Sequence, residues 1–195
     1  MVDGRRPGYG SGREALLAGA VSVIARSGLR GLTFRAVAEQ ADVNNSLVAH
    51  HFGTRDALIE AALEWSVQQS LNLSQLSEFS VASEEAFRQS ILALIADNPD
   101  LQLFQYEMIL ESRRRPELSG PVKQLYASYL GAFSEGLQQI GFETEEGAAE
   151  AFFAALDGLV LQLLAGVDRQ RVELAASYLW RMVSGRLSSP ACSRH

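Results

Sequence analysis

The sequence predicts an all-α protein of about nine helices, and three observations point there. Apolar residues recur at spacings of three and four along most of the chain. No run alternates apolar and polar residues with a period of two. Residues that cap or stop helices punctuate the apolar runs at regular intervals. The expected layout is an N-terminal cluster of three helices followed by a larger helical bundle.

The elements follow in order. Leu16, Leu17, Ala20, Val21 and Ile24 share one face of a first helix, with Gly28 placed to end it. Thr33 offers a capping oxygen to a second helix over 34–40. A tight turn at Ala41-Asp42-Val43 needs positive φ, and Asp42 stands there. Asn44 caps a third helix that runs to about His51 and stops at Phe52-Gly53. Thr54 caps a fourth helix, with Asp56 suiting the dipole of its first turn. A polar stretch near 74–80 breaks that helix, and Ser83-Glu84-Glu85 starts a fifth. Asn98-Pro99-Asp100 restarts a sixth, which Arg113-Arg114-Arg115 and Pro116 close. A seventh spans roughly 118–140. Thr144 is expected to cap an eighth that reaches Ala165-Gly166, and Asp168 a ninth that ends near Gly185.

Composition narrows the class. A chain of 195 residues with 47% hydrophobic and 21% charged residues can bury a core, so whole-chain disorder is a poor reading. The single cysteine, Cys192, allows no disulfide within the chain. No apolar run reaches the roughly 18 residues of a membrane span, and the basic N-terminus lacks the apolar segment of a secretory signal. Residues 1–9 read as a flexible arm and 188–195 as a disordered tail. The net charge of −6 is unevenly spread. Residues 1–55 hold seven arginines against four acids, while the remainder is strongly acidic, as expected when one end meets phosphate.

The segment Leu32–Ile59, LTFRAVAEQADVNNSLVAHHFGTRDALI, carries the functional signal. It reads as two short helices crossing steeply, with Ala38 at the close approach and Val43 and Val48 facing inward. Phe34, Val37 and Phe52 would complete a core against Leu17, Val21 and Ile24. The third helix then keeps Asn44, Asn45, Ser46, Leu47, Ala49 and His50 outward. Asparagine can read adenine edges and small residues can lie on thymine methyls, so this is the face of a recognition helix in a major groove. It holds no arginine for reading guanine. His50 and His51 make a poor metal pair, since neighbouring helical positions point about 100° apart.

From Ala15 to Ile59 the chain resembles the TetR family of regulators. The resemblance rests on Thr33-Phe34-Arg35-x-Val37-Ala38, the turn valine Val43, and His51-Phe52-Gly53 followed by Arg55 and Leu58. It departs from the family where Asp42 replaces the usual turn glycine and where Ala49 and His50 replace common aromatics. The resemblance implies that Thr33, Arg35, His51 and Arg55 meet phosphates. It places Asn44 and Asn45 at the head of the groove, and Ser46, Leu47 and His50 nearest the bases. It also implies domains at 10–53 for the helix-turn-helix and 54–187 for ligand binding and dimerisation.

The second half offers two further surfaces. The eighth and ninth helices carry more apolar surface than a small domain can cover, and LDGLVLQLLAG resembles the C-terminal helices of the family's BetI-like branch. A homodimer interface is expected on Phe152, Leu156, Leu159, Val160, Leu163, Ala176, Leu179, Trp180 and Val183, mixed with internal core. The resemblance implies an effector pocket in the middle bundle, with Trp65, Phe104, Glu107, Met108, Tyr126, Tyr129 and Phe153 as its candidates. Glu107 and Glu111, one turn apart, are either an acid pair at a site or partners of nearby arginines.

The partners expected are therefore double-stranded operator DNA, a second copy and a small-molecule effector, in the cytoplasm, with no cofactor, no metal and no membrane. A ligand wedging the bundle would tilt the fourth helix and part the two heads. Two alternatives stay open, a helical protein-interaction module and a small helical enzyme. The second is poorly served, since no zinc-type cluster or phosphate-cradling glycine loop occurs and the only body histidines are His50 and His51.

Overall fold

The computed structural model describes residues 9–74, 83–96, 98–139 and 147–187. Among the described residues there are nine α-helices, one 3₁₀ turn and no strand. The helices are α1 (Tyr9–Gly31), α2 (Phe34–Gln40), α3 (Asn45–Phe52), α4 (Arg55–Ser74), α5 (Glu84–Ala96), α6 (Pro99–Glu111), α7 (Ser119–Gln139), α8 (Ala148–Leu164) and α9 (Arg169–Leu187), with the 3₁₀ turn at Pro116–Leu118. The all-α architecture is the one expected.

The starts of the helices are built by the residues the sequence offered. Thr33 Oγ1 accepts from Ala36 N at 3.0 Å, Asn44 Oδ1 from Ser46 N at 2.9 Å and Thr54 Oγ1 from Ala57 N at 3.1 Å. Ser83 Oγ accepts from Ala86 N at 3.2 Å and Asp168 Oδ1 from Gln170 N at 3.4 Å. Each satisfies one of the donors that a helix start leaves without a partner. Three boundaries differ. α8 starts at Ala148 behind Gly147, which has φ 82° and no side-chain cap, while Thr144 lies outside the described residues. α6 stops at Glu111, short of the three arginines. There the ladder tightens, with Arg113 N on Leu110 O at 3.3 Å, and Arg115 before Pro116 is extended. α1 continues past Gly28 with a kink at that residue, where φ is 65° and ψ 175°. Residues 1–8 of the arm, the tail and most of the 74–80 break lie outside the described residues, while Tyr9, expected in the arm, begins α1.

The chain divides into two compact units, Met1–Val67 with Asp100–Leu125, and Gln68–Pro99 with Tyr126–His195. In the first, α1 packs on α2 and α2 on α3. Its buried side chains include Leu16, Leu17, Val21 and Ile24 of α1, Val37 of α2, Val48 of α3, and Phe104 and Met108 of α6. At about 25 cal/mol per Å² of apolar surface, each such leucine contributes roughly 2 kcal/mol. In the second unit α5, α8 and α9 pack on one another. Phe87 of α5 meets Trp180 of α9 with centroids 5.4 Å apart, and Arg181 pairs with Glu84 at 3.5 Å.

Candidate nucleic-acid interface

The turn before α3 adopts the conformation that its sequence required. Asp42 has φ 53°, in the left-handed region, and Val43 N closes the turn on Ala38 O at 3.0 Å. Helical geometry then partitions α3 by pairs four residues apart. Val48 and Phe52 are buried, and Leu47 and His51 flank them, half-buried. Asn45 with Ala49, and Ser46 with His50, are exposed. Asn44, also exposed, holds Ser46 twice, through its backbone N and through its hydroxyl, both at 2.9 Å. The head of α3 is therefore fixed while its polar face stays in solvent.

Arg35, Arg13 and His51 are among the basic side chains on the helices of this head. Arg35 of α2 is four-fifths exposed and pairs with Glu39 one turn on at 2.8 Å. That hydrogen bond and then the carboxylate's charge raise the guanidinium's pKa further. Arg13 of α1 lies 5.4 Å from the centroid of the Phe52 ring. His51 sits between the rings of His50 and Phe52, at 5.5 and 6.1 Å.

Arg55 has different partners from those expected. Its Nε donates to Leu32 O at 3.0 Å and its Nη2 to Leu29 O. Leu29 lies in the last turn of α1, where helical donors run out; of the described backbone donors only Leu32 N reaches its carbonyl, at 3.3 Å, and Leu32 follows the helix end. A half-buried guanidinium donates to the carbonyls of both residues, so two of its donors face its own chain rather than DNA. Glu107 also turns to this corner, its Oε1 accepting from Leu29 N at 3.3 Å. Glu111 pairs with Arg114 at 2.6 Å and Arg115 at 3.5 Å, the arginine-partner alternative.

The remaining candidates fall as follows. Of the seven effector residues, Trp65, Phe104, Glu107 and Met108 belong to the first unit, where Phe104 and Met108 are fully buried. Tyr126, Tyr129 and Phe153 belong to the second. There Tyr129 stacks on Phe153 at 5.7 Å and Tyr126 meets the same ring edge-on at 6.3 Å. Burial, and then the charge of Asp157, raise the Tyr126 hydroxyl above the usual tyrosine pKa. Of the nine interface residues, Leu156, Leu159, Val160 and Ala176 are already buried within the single chain. Phe152, Leu163, Leu179 and Trp180 are half-buried, and the side chain of Val183 lies outside the described residues. Among the apolar side chains that α8 and α9 leave in solvent are Leu161 (50% exposed), Leu174 (65%), Tyr178 (60%) and Met182 (45%).

Sequence reasoning missed two contributors. Gly19 is where α1 lies against α2, since a Cβ there would stand 3.2 Å from Val37 O. Its signal was a glycine inside a helical run otherwise free to hold alanine. The stripe Leu174-Tyr178-Met182 had a four-residue spacing, but periodicity alone does not say which apolar face of α9 its own bundle covers.

Comparison with known proteins agrees with this geometry. Residues 16–62 match the family described as bacterial regulatory proteins, tetR family, and residues 82–185 match the tetracyclin repressor-like C-terminal domain. The HTH-type transcriptional regulator BetI of Paraburkholderia xenovorans is 24% identical over 161 residues, covering 77% of this chain and 80% of its own. A TetR-family transcriptional regulator from Rhodococcus sp. superposes with a TM-score of 0.74 at 24% identity, covering 92% of this chain and 100% of the other. The multidrug binding protein EbrR, solved with ethidium, superposes with a TM-score of 0.62 at 23% identity, covering 88% and 99%.

Proposed function

The chain belongs to the TetR family of bacterial transcriptional regulators, and on that premise we propose that it is a repressor acting as a homodimer on a palindromic operator, released when a small molecule enters its C-terminal domain. The family is one of regulators rather than enzymes, with a DNA-binding domain and a ligand-binding domain. One observation carries the finer reading: the exposed face Asn44, Asn45, Ser46, Ala49 and His50, set on a helix whose other side is anchored by Val48 and Phe52. Such a face fits a major groove and reads A·T-rich steps. Thr33, Arg35 and His51 are assigned to flanking phosphates, and Leu47 to the groove edge.

A single eight-residue helix reads few bases, so a second copy is needed. The exposed stripe Leu174, Tyr178, Met182, with Leu161 of α8, is the surface we assign to that partner. Two heads about 34–36 Å apart would then meet successive major grooves. For the effector we favour the rings of Tyr126, Tyr129 and Phe153, with the Tyr126 hydroxyl as a polar group beside them. EbrR was solved with ethidium and with proflavin, and its likeness to this chain supports the fold. α4 starts beside α3 and continues beyond Val67, so a tilt of this helix is the proposed route of release. The reading places the protein in the cytoplasm, on the nucleoid; among the described residues no helix is long and apolar enough to cross a membrane.

The test is selection of bound duplexes from a random pool. An inverted repeat should be recovered, and a promoter carrying it should be silenced by the protein in a purified transcription assay. Asn45→Ala with His50→Ala should abolish the selectivity while sedimentation still reports a dimer. Unchanged selectivity would remove α3 from the groove, and a monomer at working concentration would remove the palindrome.

A further inference from the structure

Two carboxylates of α6 grip α1 in matched register. Asp100 Oδ2 accepts from Ser22 Oγ at 2.8 Å and pairs with Arg26 Nη2 at 3.3 Å. Seven residues on, Glu107 Oε1 accepts from Leu29 N at 3.3 Å, and Leu29 lies seven residues after Ser22. The two contacts follow the same chain direction on both helices, and they tie α6 to α1 at points on either side of the Gly28 bend.

The second contact falls on a residue that is also held from another side. The carbonyl of Leu29 accepts from Arg55 Nη2 at the start of α4, and Arg55 Nε donates to Leu32 O at 3.0 Å. One residue thus links α6 through its N–H and α4 through its C=O. The backbone beside it has little latitude, because Gly28 at φ 65° and ψ 175° occupies a region essentially confined to glycine. A Cβ on Gly28 would stand 3.0 Å from Glu107 Oε1. The corner is not sealed. A cleft of about 480 Å³, lined by Ser27, Arg30, Glu111, Arg114 and Arg115 among others, opens on the Glu107 carboxylate. The contact can therefore break without unpacking a core. What such partly exposed polar contacts chiefly supply is geometry.

We propose that Glu107, Ser22 and Arg55 are positioning residues for operator recognition: they touch no DNA, and through Leu29 they set the pose in which α1 and α4 present α3. The inference needs sequence-selective DNA binding, and neither the dimer nor an effector.

The measurement is the ratio of affinities for the selected duplex and for a scrambled duplex of equal length, by fluorescence anisotropy at fixed salt, alongside thermal midpoints. A ratio well above one in the unsubstituted protein tests the DNA reading itself, and its change on substitution tests the positioning. Glu107→Ala should lower the ratio by about five- to tenfold, the scale of one lost hydrogen bond, with scrambled-duplex binding little changed. Glu107→Gln, which keeps a carbonyl acceptor for Leu29 N–H, should restore most of it. Glu107→Ala with Arg55→Ala should lose less than the product of the two single effects, because both act through Leu29. An unchanged ratio in Glu107→Ala, equal losses on both duplexes, or multiplicative losses in the double variant would each overturn the proposal. Should Glu107→Ala fail to fold, Ser22→Ala decides: a fall of about threefold in the ratio is expected from the other half of the clamp, and no fall overturns it.

Discussion

Alanine at Gly28 puts a number on the corner where α1 bends. The residue has φ 65° and ψ 175°, and holding a non-glycine residue in so sparsely populated a region costs about 1–3 kcal/mol. The added Cβ would lie 3.0 Å from Glu107 Oε1, tight enough that the carboxylate must give way. Its bond to Leu29 N is then weakened or lost, for about another 1 kcal/mol. The total is roughly 2–4 kcal/mol, which for a chain of this size lowers the thermal midpoint by about 4–16 °C. The assay is thermal denaturation followed by helical circular dichroism. Repeating Gly28→Ala in a Glu107→Ala background separates the two parts. There the contact is already gone, and only the backbone cost should remain. A midpoint within about 1 °C of the parent would refute the argument from backbone conformation. An undiminished loss in the Glu107→Ala background would refute the part assigned to the carboxylate.

Three further outcomes are expected. Asn44→Ala removes the oxygen that holds both Ser46 donors, so stability should fall by about 1 kcal/mol in urea titrations, with operator affinity falling further because the head of α3 frays. Glu39→Gln deletes the carboxylate paired with Arg35 at the exposed start of α2. It should tighten binding to all duplexes alike, without improving selectivity, in titrations across a salt series. Leu174→Glu with Tyr178→Glu places two charges on the exposed stripe of α9. Sedimentation should then report monomers with an unchanged thermal midpoint in dilute protein, whereas a persistent dimer would move the interface elsewhere.

The helices were legible because each start announces itself locally. Thr33, Asn44, Thr54, Ser83 and Asp168 are short polar residues whose side chains reach a backbone N–H two or three positions on, and that geometry needs no knowledge of the rest of the fold. Asp42 was legible for the same reason, since a tight turn demands positive φ whatever surrounds it. The outward face of α3 could be read once Val48 and Phe52 had been given to the core. What periodicity could not deliver was the partner of a long side chain. Arg55 resembles a phosphate ligand in sequence, yet its donors close on carbonyls more than twenty positions away. Glu107 and Glu111 looked alike on their helix, but one reaches the backbone of α1 and the other two arginines of its own segment. Leu156, Leu159 and Val160 are as apolar as Leu161, and only tertiary packing shows that the first three are spent inside one chain.

The inward turn of Arg55 also bears on how the protein behaves as the cell's ionic strength changes. Each phosphate contact that a head makes is worth a factor of about 3.5 in affinity between 50 and 200 mM salt, and Arg55 has two of its donors committed to its own backbone. On the proposed reading, a regulator whose grip leans on groove shape and on asparagine amides, with Arg55 partly occupied in holding its own backbone, should keep its promoter occupied through swings in electrolyte that would dislodge a more cationic relative.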